Sequence, residues 1–393
     1  MSSALLAASF MEAFGHAPGH AVYACAPGRT ELAGNHTDHE GGHVIAAAVD
    51  RCVEVVCERT EGCAGRVVSA GYVPLAVRLD TLEPLVCERA TSASLVRGAC
   101  HVAARQGGTV GGFKACITSS VAVGSGLSSS AAFELAVISA LSRLFGAEEL
   151  PALDRARAAQ AIEHDYFGKP CGLMDQAASA LGSIQHMDFS RSDRPHAELL
   201  DFDFAEAGYA ICLVNVGTSH ADLVDAYAAI PREMQKVAHL LGASRLGELA
   251  PEAVISHAAE IRRATSDRAL LRALHYVREE RLVAERAEAL RTRDMAAFLE
   301  LTRLSGASSA MYLQNISPSV EEQSAMIALA LAEEFLGADG ACRIHGGGFG
   351  GTIQAFVPLV RVEAFSQAMD AAFGVGSCEA YSIVHEGAYA QWM

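Results

Sequence analysis

Residues 124–132 have the composition of a phosphate-binding loop. Their sequence is Gly-Ser-Gly-Leu-Ser-Ser-Ser-Ala-Ala, and they separate a strand-like run from a helix-like run. Backbone N–H groups at the start of a helix attract anions, and serine hydroxyls can donate to phosphate or bind magnesium. An ordinary turn with a serine cap is the alternative. The Gly-Lys-Ser/Thr of a Walker loop and the Gly-x-Ser-x-Gly elbow of hydrolases are both missing.

A second glycine cluster, Gly-Gly-Gly-Phe-Gly-Gly, lies at 346–351. It formally satisfies the GxGxxG spacing, but the following residues, 352–357, have the pattern of a strand. The helix that a dinucleotide-binding fold requires at this point is therefore missing. Taken alone, the cluster is typical of a close-packed turn or bulge between two strands.

Residues 27–42 are unusually polar for a turn between apolar strands. Their side chains could form a hydrogen-bonding surface for a polyhydroxylated ligand. A solvated loop is one alternative. A metal site is another, because the His-Thr-Asp-His sequence at 36–39 is similar to the end of the HxHxDH metallohydrolase motif, although Gly34 replaces its first histidine.

A further polar segment, at 163–176, contains Glu163 and Asp175. Asp175 follows a proline and a glycine at the start of a predicted helix, where the helix dipole favours an ionised carboxylate. The pattern is compatible with a catalytic carboxylate and equally with a helix-start aspartate that has no chemical role.

Predicted strands and helices flank these segments. Alternating or β-branched residues predict a strand at 113–121, and apolar residues at helical spacing predict helices at 129–145 and 154–166. The chain is mostly helical in character from 232 to 304. The last part has the order strand, strand, helix, strand, which is typical of an α+β layer domain: 342–345, 352–357, 362–373 and 380–384.

Length and composition limit the class of protein. The chain has 393 residues, and a short acidic segment near 201–208 predicts two domains, 1–205 and 206–393. The net charge of −16 disfavours a nucleic-acid partner. The 11 scattered cysteines fit neither a disulfide framework nor a zinc ribbon. Without a basic leader or a long apolar run, we expect a cytoplasmic protein with no membrane partner.

Taken together and in this order, the four segments resemble the GHMP small-molecule kinases, and within them the galactokinase family. Residues 27–42 match the sugar signature, 124–132 the phosphate loop, 163–176 the acid and base segment and 346–351 the third glycine motif. The resemblance implies an α+β fold with a ribosomal S5-like N-terminal domain, a ferredoxin-like C-terminal domain and an active site in the cleft between them. It also implies ATP as co-substrate, Mg²⁺ as cofactor, a small-molecule sugar as acceptor and a monomeric enzyme.

The resemblance also implies roles for individual residues. Asp175 would be the general base for the anomeric hydroxyl, Arg29 would keep Asp175 ionised and stabilise phosphoryl charge, and Ser130 and Glu163 would hold magnesium. The expected sugar-binding residues are Arg29, Asn35, His36, Asp38, Gly172, Asp175 and Tyr227. The expected ATP-binding residues are Gly124, Ser125, Gly126, Leu127, Ser128, Ser129 and Ser130. The third motif, expected to help close the site, comprises Gly346, Gly347, Gly348, Gly350 and Gly351.

Two positions depart from the galactokinase pattern. Asn35 stands where the family usually has glutamate, and His39 stands where it usually has tyrosine. The resemblance makes galactose the first expected substrate. A glutamate would repel a carboxylate at C6, whereas the neutral amide of Asn35 can donate or accept, so galacturonate or another C6-altered galactose is the alternative. A catalytically silent galactose sensor is a further alternative, although the serine-alanine run 128–132 is intact and Asp175 and Arg29 are both present.

Overall fold

The computed structural model describes residues 3–122, 124–191, 195–217, 224–317, 319–349 and 351–393. In these parts the strands are Ala21–Ala33 (β1), His43–Arg59 (β2), Ala64–Ser69 (β3), Leu75–Arg78 (β4), Phe113–Ser119 (β5), Ile184–Asp188 (β6), His196–Leu200 (β7), Tyr209–Asn215 (β8), Ala341–Ile344 (β9), Thr352–Pro358 (β10), Cys378–Tyr381 (β11) and Tyr389–Trp392 (β12). The helices are Ser3–Phe14 (α1), Ser92–Arg105 (α2), Ser129–Phe145 (α3), Ala152–Ala161 (α4), Met174–Leu181 (α5), Val224–Leu240 (α6), Pro251–Ser256 (α7), Ala258–Ala264 (α8), Asp267–Arg291 (α9), Met295–Ser308 (α10), Ser324–Leu336 (α11) and Val362–Phe373 (α12). None of the helices within these ranges is long and apolar enough to cross a bilayer.

The strands of the described residues form two sheets. The first has the order β12-β1-β2-β5-β3-β4, with β6 paired to β2 and β7 paired to β6. The second has the order β11-β8-β10-β9. The last strand, β12, pairs with β1, with Val22 opposite Trp392, so the end of the chain returns to the first sheet.

Helix α3 covers one face of the first sheet and begins where the glycine-serine segment ends. Its apolar residues Leu135, Ile138 and Leu141 are buried in one cluster with Val22 and Val55 of the sheet. Burial of each such side chain contributes about 1.5–3 kcal/mol, so this packing fixes the position of the start of the helix. The helix ends at Phe145, where Gly146 adopts a left-handed φ of 70° and caps the last turn.

Strand β1 is irregular where it carries the polar residues. Its register against β2 shifts between Pro27 and Arg29 and again between Glu31 and Ala33. Such bulges bend a strand and redirect its side chains. The Arg29 side chain leaves the sheet here and points toward α5.

A buried ionic cluster joins β1, α9 and β9. The carboxylate of Glu31 pairs with the Arg343 guanidinium, and both side chains are almost fully buried. On α9, Glu279 accepts hydrogen bonds from the Gly34 N–H (3.2 Å) and the Ser305 hydroxyl (2.8 Å). Burial lowers the pKa of Arg286, another member of the cluster, to about 9. Removal of one partner would leave an uncompensated buried charge.

Most of the predicted elements are present, with different bounds. The helices predicted at 129–145 and 362–373 match α3 and α12. The strand predicted at 380–384 was placed too late, since β11 spans Cys378–Tyr381. The helix predicted at 154–166 is α4 followed by a π-helical turn, Ile162–Phe167. The two-domain boundary near residue 205 stays a prediction.

A surface histidine links β2 to α9 in a pH-dependent manner. The hydrogen bond to Glu280 (2.9 Å) raises the pKa of His43 above its ordinary value of 6.5, with Asp188 and His186 as its other ionisable neighbours. Because the pKa is raised in the folded state, the stabilisation is complete below pH 6.5 and is lost as the pH rises through the raised pKa. We expect His43→Gln to reduce the free energy of unfolding at low pH by about 0.2–1 kcal/mol.

Urea unfolding of both proteins at pH 6 and pH 9 tests this expectation. The difference in stability between wild type and His43→Gln should shrink toward zero at the higher pH. An equal difference at both pH values would contradict an ionic role for His43.

Candidate active site

Three of the four polar segments meet at the Asp175 carboxylate. Arg29 Nε and Nη2 both donate to Asp175 Oδ1, at 2.8 and 2.7 Å. The Ser128 hydroxyl donates to Asp175 Oδ2, and the third guanidinium nitrogen of Arg29 donates to the Gly126 carbonyl. Asp175 lies in the first turn of α5, and about a third of its side chain is exposed. These donors fix the orientation of the carboxylate, which still faces the solvent.

The glycine-serine loop has the backbone of an anion-binding turn. Gly124 and Gly126 have φ angles of 80° and 79°, and Ser128 also adopts a left-handed φ, of 55°. Ser129 and Ser130 then begin α3, so the positive end of the helix dipole faces the loop. Two of the predicted ATP-binding residues make contacts within the protein. The Ser125 hydroxyl donates to the Ala122 carbonyl, and Leu127 is buried in the core.

Asp38 and Gly172 are in direct contact. A Cβ atom built on Gly172 would lie 1.8 Å from Asp38 Oδ2, so only glycine leaves room for the carboxylate. Burial raises the pKa of Asp38, and the negative charge of Asp175 nearby adds to that shift. The structure therefore brings two predicted sugar-binding residues next to the predicted base.

His36 lies in the site, but both of its ring nitrogens contact protein atoms. Nε2 donates to the Gly347 carbonyl at 2.8 Å, and Nδ1 accepts from His39 Nε2 at 3.1 Å. Because a carbonyl only accepts, the hydrogen bond to Gly347 fixes the tautomer. Burial lowers the pKa of His36 to about 3, so the ring is neutral. The predicted contact with a sugar would have to replace one of these bonds.

Asn35 is fully buried and is held by protein groups at both ends of its amide. Its Nδ2 donates to the Gly346 carbonyl and lies 3.4 Å from Glu31 Oε1. Its Oδ1 accepts from Asn315 Nδ2 at 2.8 Å and from the Ser309 hydroxyl at 3.3 Å. Asn35 is thus a buried residue that is hydrogen-bonded to the third glycine motif.

The third glycine motif lies against the sugar signature. A Cβ atom on Gly347 would lie 2.2 Å from the Tyr227 ring, and that ring also faces His36 with centroids 5.3 Å apart. A Cβ atom on Gly348 would likewise lie 2.2 Å from the Asn315 carbonyl oxygen. Gly351 accepts a hydrogen bond from the Val216 N–H at 2.7 Å, whereas Gly350 lies outside the described residues.

Glu163 lies in a buried acidic cluster. Its Oε1 accepts from Lys169 Nζ and its Oε2 from Gln176 Nε2, both at 2.9 Å. Glu134 is 2% exposed, and its Oε1 has no hydrogen-bond partner. Burial raises the pKa of Glu134, and the charge of Glu163 adds to the shift.

This cluster has the donor chemistry of a magnesium site. Carboxylate and hydroxyl oxygens are the ligands that Mg²⁺ prefers, and Ser130 and Glu134 occupy the same face of α3, four residues apart. A cation would use the unpartnered Glu134 oxygen and would relieve the repulsion between two buried carboxylates. Ser130 and Glu163 stay the predicted ligands of this ion, and Lys169 is bound to one oxygen of Glu163.

Sequence reasoning missed several residues of the site. Glu134 carries a detectable signal, because it follows Ser130 by one helical turn. Lys169 and Asn315 carry none, since their importance depends on contacts with distant parts of the chain. Ser128 was assigned only to ATP, but its hydroxyl also contacts the predicted base.

Two family models match the chain. The one described as "GHMP kinases N terminal domain" matches residues 94–183, and the one described as "Galactokinase galactose-binding signature" matches residues 8–59. A curated galactokinase of Actinobacillus pleuropneumoniae is 29% identical over 363 residues, which cover 90% of this chain and 89% of the relative. A galactokinase of Glaesserella parasuis is 29% identical over 364 residues, with the same coverage.

Solved structures show the same fold. The galactokinase of Lactococcus lactis in complex with galactose superposes with a TM-score of 0.84 at 24% identity, covering 99% of both chains. The mevalonate kinase of Methanococcus jannaschii superposes with a TM-score of 0.67 at 15% identity, covering 93% of this chain and 99% of that chain. The predicted α+β GHMP kinase fold is confirmed.

Fold and site together define a small-molecule kinase of the GHMP class. Its central part matches the GHMP kinase model, its N-terminal part matches the galactose-binding signature of galactokinases, and the curated relatives it resembles are galactokinases. The prediction of a phosphotransferase with an alcohol acceptor is confirmed at the level of this family.

The contact between Gly172 and Asp38 predicts the effect of a single methyl group. Gly172→Ala should push Asp38 out of place and raise the KM for sugar about 10-fold or more, the equivalent of about 1.4 kcal/mol in binding. The KM for ATP should change little. Gly111→Ala is the matched control, because a Cβ there lies no closer than 3.9 Å to its neighbour. An unchanged KM for sugar in Gly172→Ala would exclude Asp38 from the sugar site.

Proposed function

We propose that the protein transfers the γ-phosphoryl group of ATP to the anomeric hydroxyl of galactose. The observation that carries the proposal is the convergence of Arg29, Ser128 and Asp175. It joins the sugar signature, the phosphate loop and the acid and base segment through hydrogen bonds to one carboxylate. A site that holds a base beside an anion-binding loop suits phosphoryl transfer to a hydroxyl.

The mechanism follows from these contacts. Asp175 accepts the proton of the sugar hydroxyl as the hydroxyl oxygen attacks the γ-phosphorus, and ADP leaves with the bridging oxygen. Arg29 orients the carboxylate and, through its hydrogen bond to the Gly126 carbonyl, fixes the phosphate loop relative to the base. The in-line placement of the two reactants accounts for most of the rate enhancement.

Magnesium and the cellular setting are part of the proposal. Bound Mg²⁺ would neutralise charge on the phosphates, and Ser130 and Glu163 would hold it, with Glu134 close by. A reducing cytoplasm suits the chain, because all 11 cysteines are free thiols. A monomeric state stays a prediction.

Replacement of the proposed base should stop turnover without preventing ATP binding. Asp175→Asn removes the proton acceptor but keeps the size of the side chain, so we expect kcat to fall by about 10²- to 10⁴-fold. Asp165→Asn, an exposed change in the same segment, is the control. Steady-state kinetics with Mg-ATP and a nucleotide-binding titration check both expectations. Undiminished turnover in Asp175→Asn would refute the assigned base.

The surroundings of Asn35 favour a neutral sugar over galacturonate. The groups nearest its amide nitrogen are acceptors, namely the Gly346 carbonyl and the buried carboxylate of Glu31. The neighbouring cation, Arg343, is fully buried and is already paired with Glu31. A sugar carboxylate here would approach a buried anion without gaining a free cation, whereas a hydroxyl could donate to the acceptors.

A sugar panel tests this preference. With galactose, galacturonate, glucose, arabinose and N-acetylgalactosamine as acceptors, we expect the highest kcat/KM for galactose and phosphorylation at C1. Galacturonate should be worse by about 10-fold or more, since each 1.4 kcal/mol of discrimination is a factor of ten. A preference for galacturonate would make the alternative substrate correct. Binding of galactose without transfer to any sugar would identify a sensor.

A further inference from the structure

The turn at Gly346–Gly348 is held by side chains from two distant parts of the chain. Asn35 and His36 of the sugar signature donate to the Gly346 and Gly347 carbonyls. Asn315, which follows the π-helical turn Ser309–Leu313 at the end of α10, also donates to the Gly347 carbonyl, at 3.2 Å. The position of the turn therefore depends on three side-chain donors.

Asn315 connects the sugar signature to the turn directly. Its Nδ2 lies between two acceptors, Asn35 Oδ1 at 2.8 Å and the Gly347 carbonyl at 3.2 Å. Its own backbone carbonyl accepts from the Phe349 N–H at 2.7 Å. Gly348 packs so closely on Asn315 that a Cβ atom would lie 2.2 Å from the Asn315 carbonyl oxygen.

The hydrogen-bond network determines the orientation of both amides. Asn35 Nδ2 faces the Gly346 carbonyl and a Glu31 carboxylate oxygen, which only accept, so Oδ1 is the end that faces the Ser309 hydroxyl. A reversed Asn315 amide would place its oxygen against two acceptors, so Nδ2 must be the bridging atom. The Asn315 Oδ1 atom is then left buried without a partner, in a residue that has no exposed surface.

The backbone around this contact is constrained as well. His36, Gln314 and Phe349 are non-glycine residues with left-handed φ angles of 61°, 58° and 57°. Such residues are found where the surrounding contacts overdetermine the backbone, and they cluster at ligand sites. His36 follows Asn35, Gln314 precedes Asn315 and Phe349 follows Gly348. All three therefore lie next to residues that hold the turn.

We propose that Asn315 is a positioning residue for sugar binding. It keeps the Gly346–Gly348 turn against Asn35 and His36, and it thereby sets the shape of the sugar pocket. The inference rests on the proposed sugar kinase activity. Asn315 is itself fully buried, so it acts on the sugar through the turn that its Nδ2 holds.

The effect should be confined to the sugar. The phosphate loop contacts the β9–β10 strand pair at a different residue, because Gly126 packs against the His345 ring. Arg29 and Ser128 hold Asp175 without any contribution from Asn315. Loss of the Asn315 amide should therefore raise the KM for galactose and leave the KM for ATP and most of kcat unchanged.

Two substitutions at Asn315 separate positioning from simple packing. Asn315→Ala removes the donor, and we expect the KM for galactose to rise about 10-fold at every pH, consistent with the loss of a buried hydrogen bond. Asn315→Asp keeps the size but turns an ionised oxygen toward two acceptors. Burial among acceptors raises the pKa of such a carboxyl, and protonation restores a donor. Its KM, relative to wild type, should therefore fall as the pH is lowered from about 8 to about 6.

Gln314→Asn is the matched control. The Gln314 side chain is next to Asn315 in the chain but is exposed, and asparagine tolerates the left-handed backbone at this position. Thermal melting and ATP titration of each variant report whether the fold is intact. An unchanged KM for galactose in a folded Asn315→Ala would overturn the inference, as would a pH-independent defect in Asn315→Asp. Absence of sugar phosphorylation by the wild-type enzyme would instead refute the proposed function, so the two failures are distinguishable.

Discussion

The site depends on the guanidinium of Arg29. Two of its nitrogens bind the Asp175 carboxylate and the third binds the Gly126 carbonyl, while its own backbone N–H donates to the Leu127 carbonyl at 3.1 Å. A planar guanidinium with several donors can hold a carboxylate and a loop in one fixed geometry, which a flexible ammonium could not. The bulge in β1 makes this possible, since it turns Arg29 out of the regular strand pattern.

A second constraint is the buried ionic cluster behind the sugar signature. Glu31, Arg343 and Glu279 join β1, β9 and α9. Buried ion pairs contribute little net stability, but they penalise any arrangement that separates the partners. The cluster therefore holds the strand that carries Arg29 against the part of the chain that carries the third glycine motif.

The negative charge of the protein is compatible with ATP as a substrate for local reasons. The net charge of −16 opposes a polyanion at long range. At the site, however, the start of α3, the left-handed turns of the phosphate loop and the Arg29 guanidinium all present positive potential. The two matching family models cover the same regions, residues 8–59 and 94–183.

The sequence by itself predicted the class of fold and the resemblance to one family, and it supplied the candidate site residues. Glycine, serine and acidic residues have the same chemistry in any fold. Four segments of such residues in this order are typical of one superfamily. Helices with strong apolar periodicity, such as α3 and α12, were also predicted with correct bounds. Strand ends such as that of β11 were less accurate, because edge pairing rather than local pattern decides where a strand stops.

Only the tertiary structure decided how these residues are used. It showed that the amide of Asn35 and both ring nitrogens of His36 bond to protein groups, that Glu163 is paired with Lys169, and that the Asn315 amide bridges two motifs. Each of these facts is a contact between residues far apart in the chain. Local periodicity contains no information about such partners, because hydrogen bonds of this kind form only after packing brings the segments together.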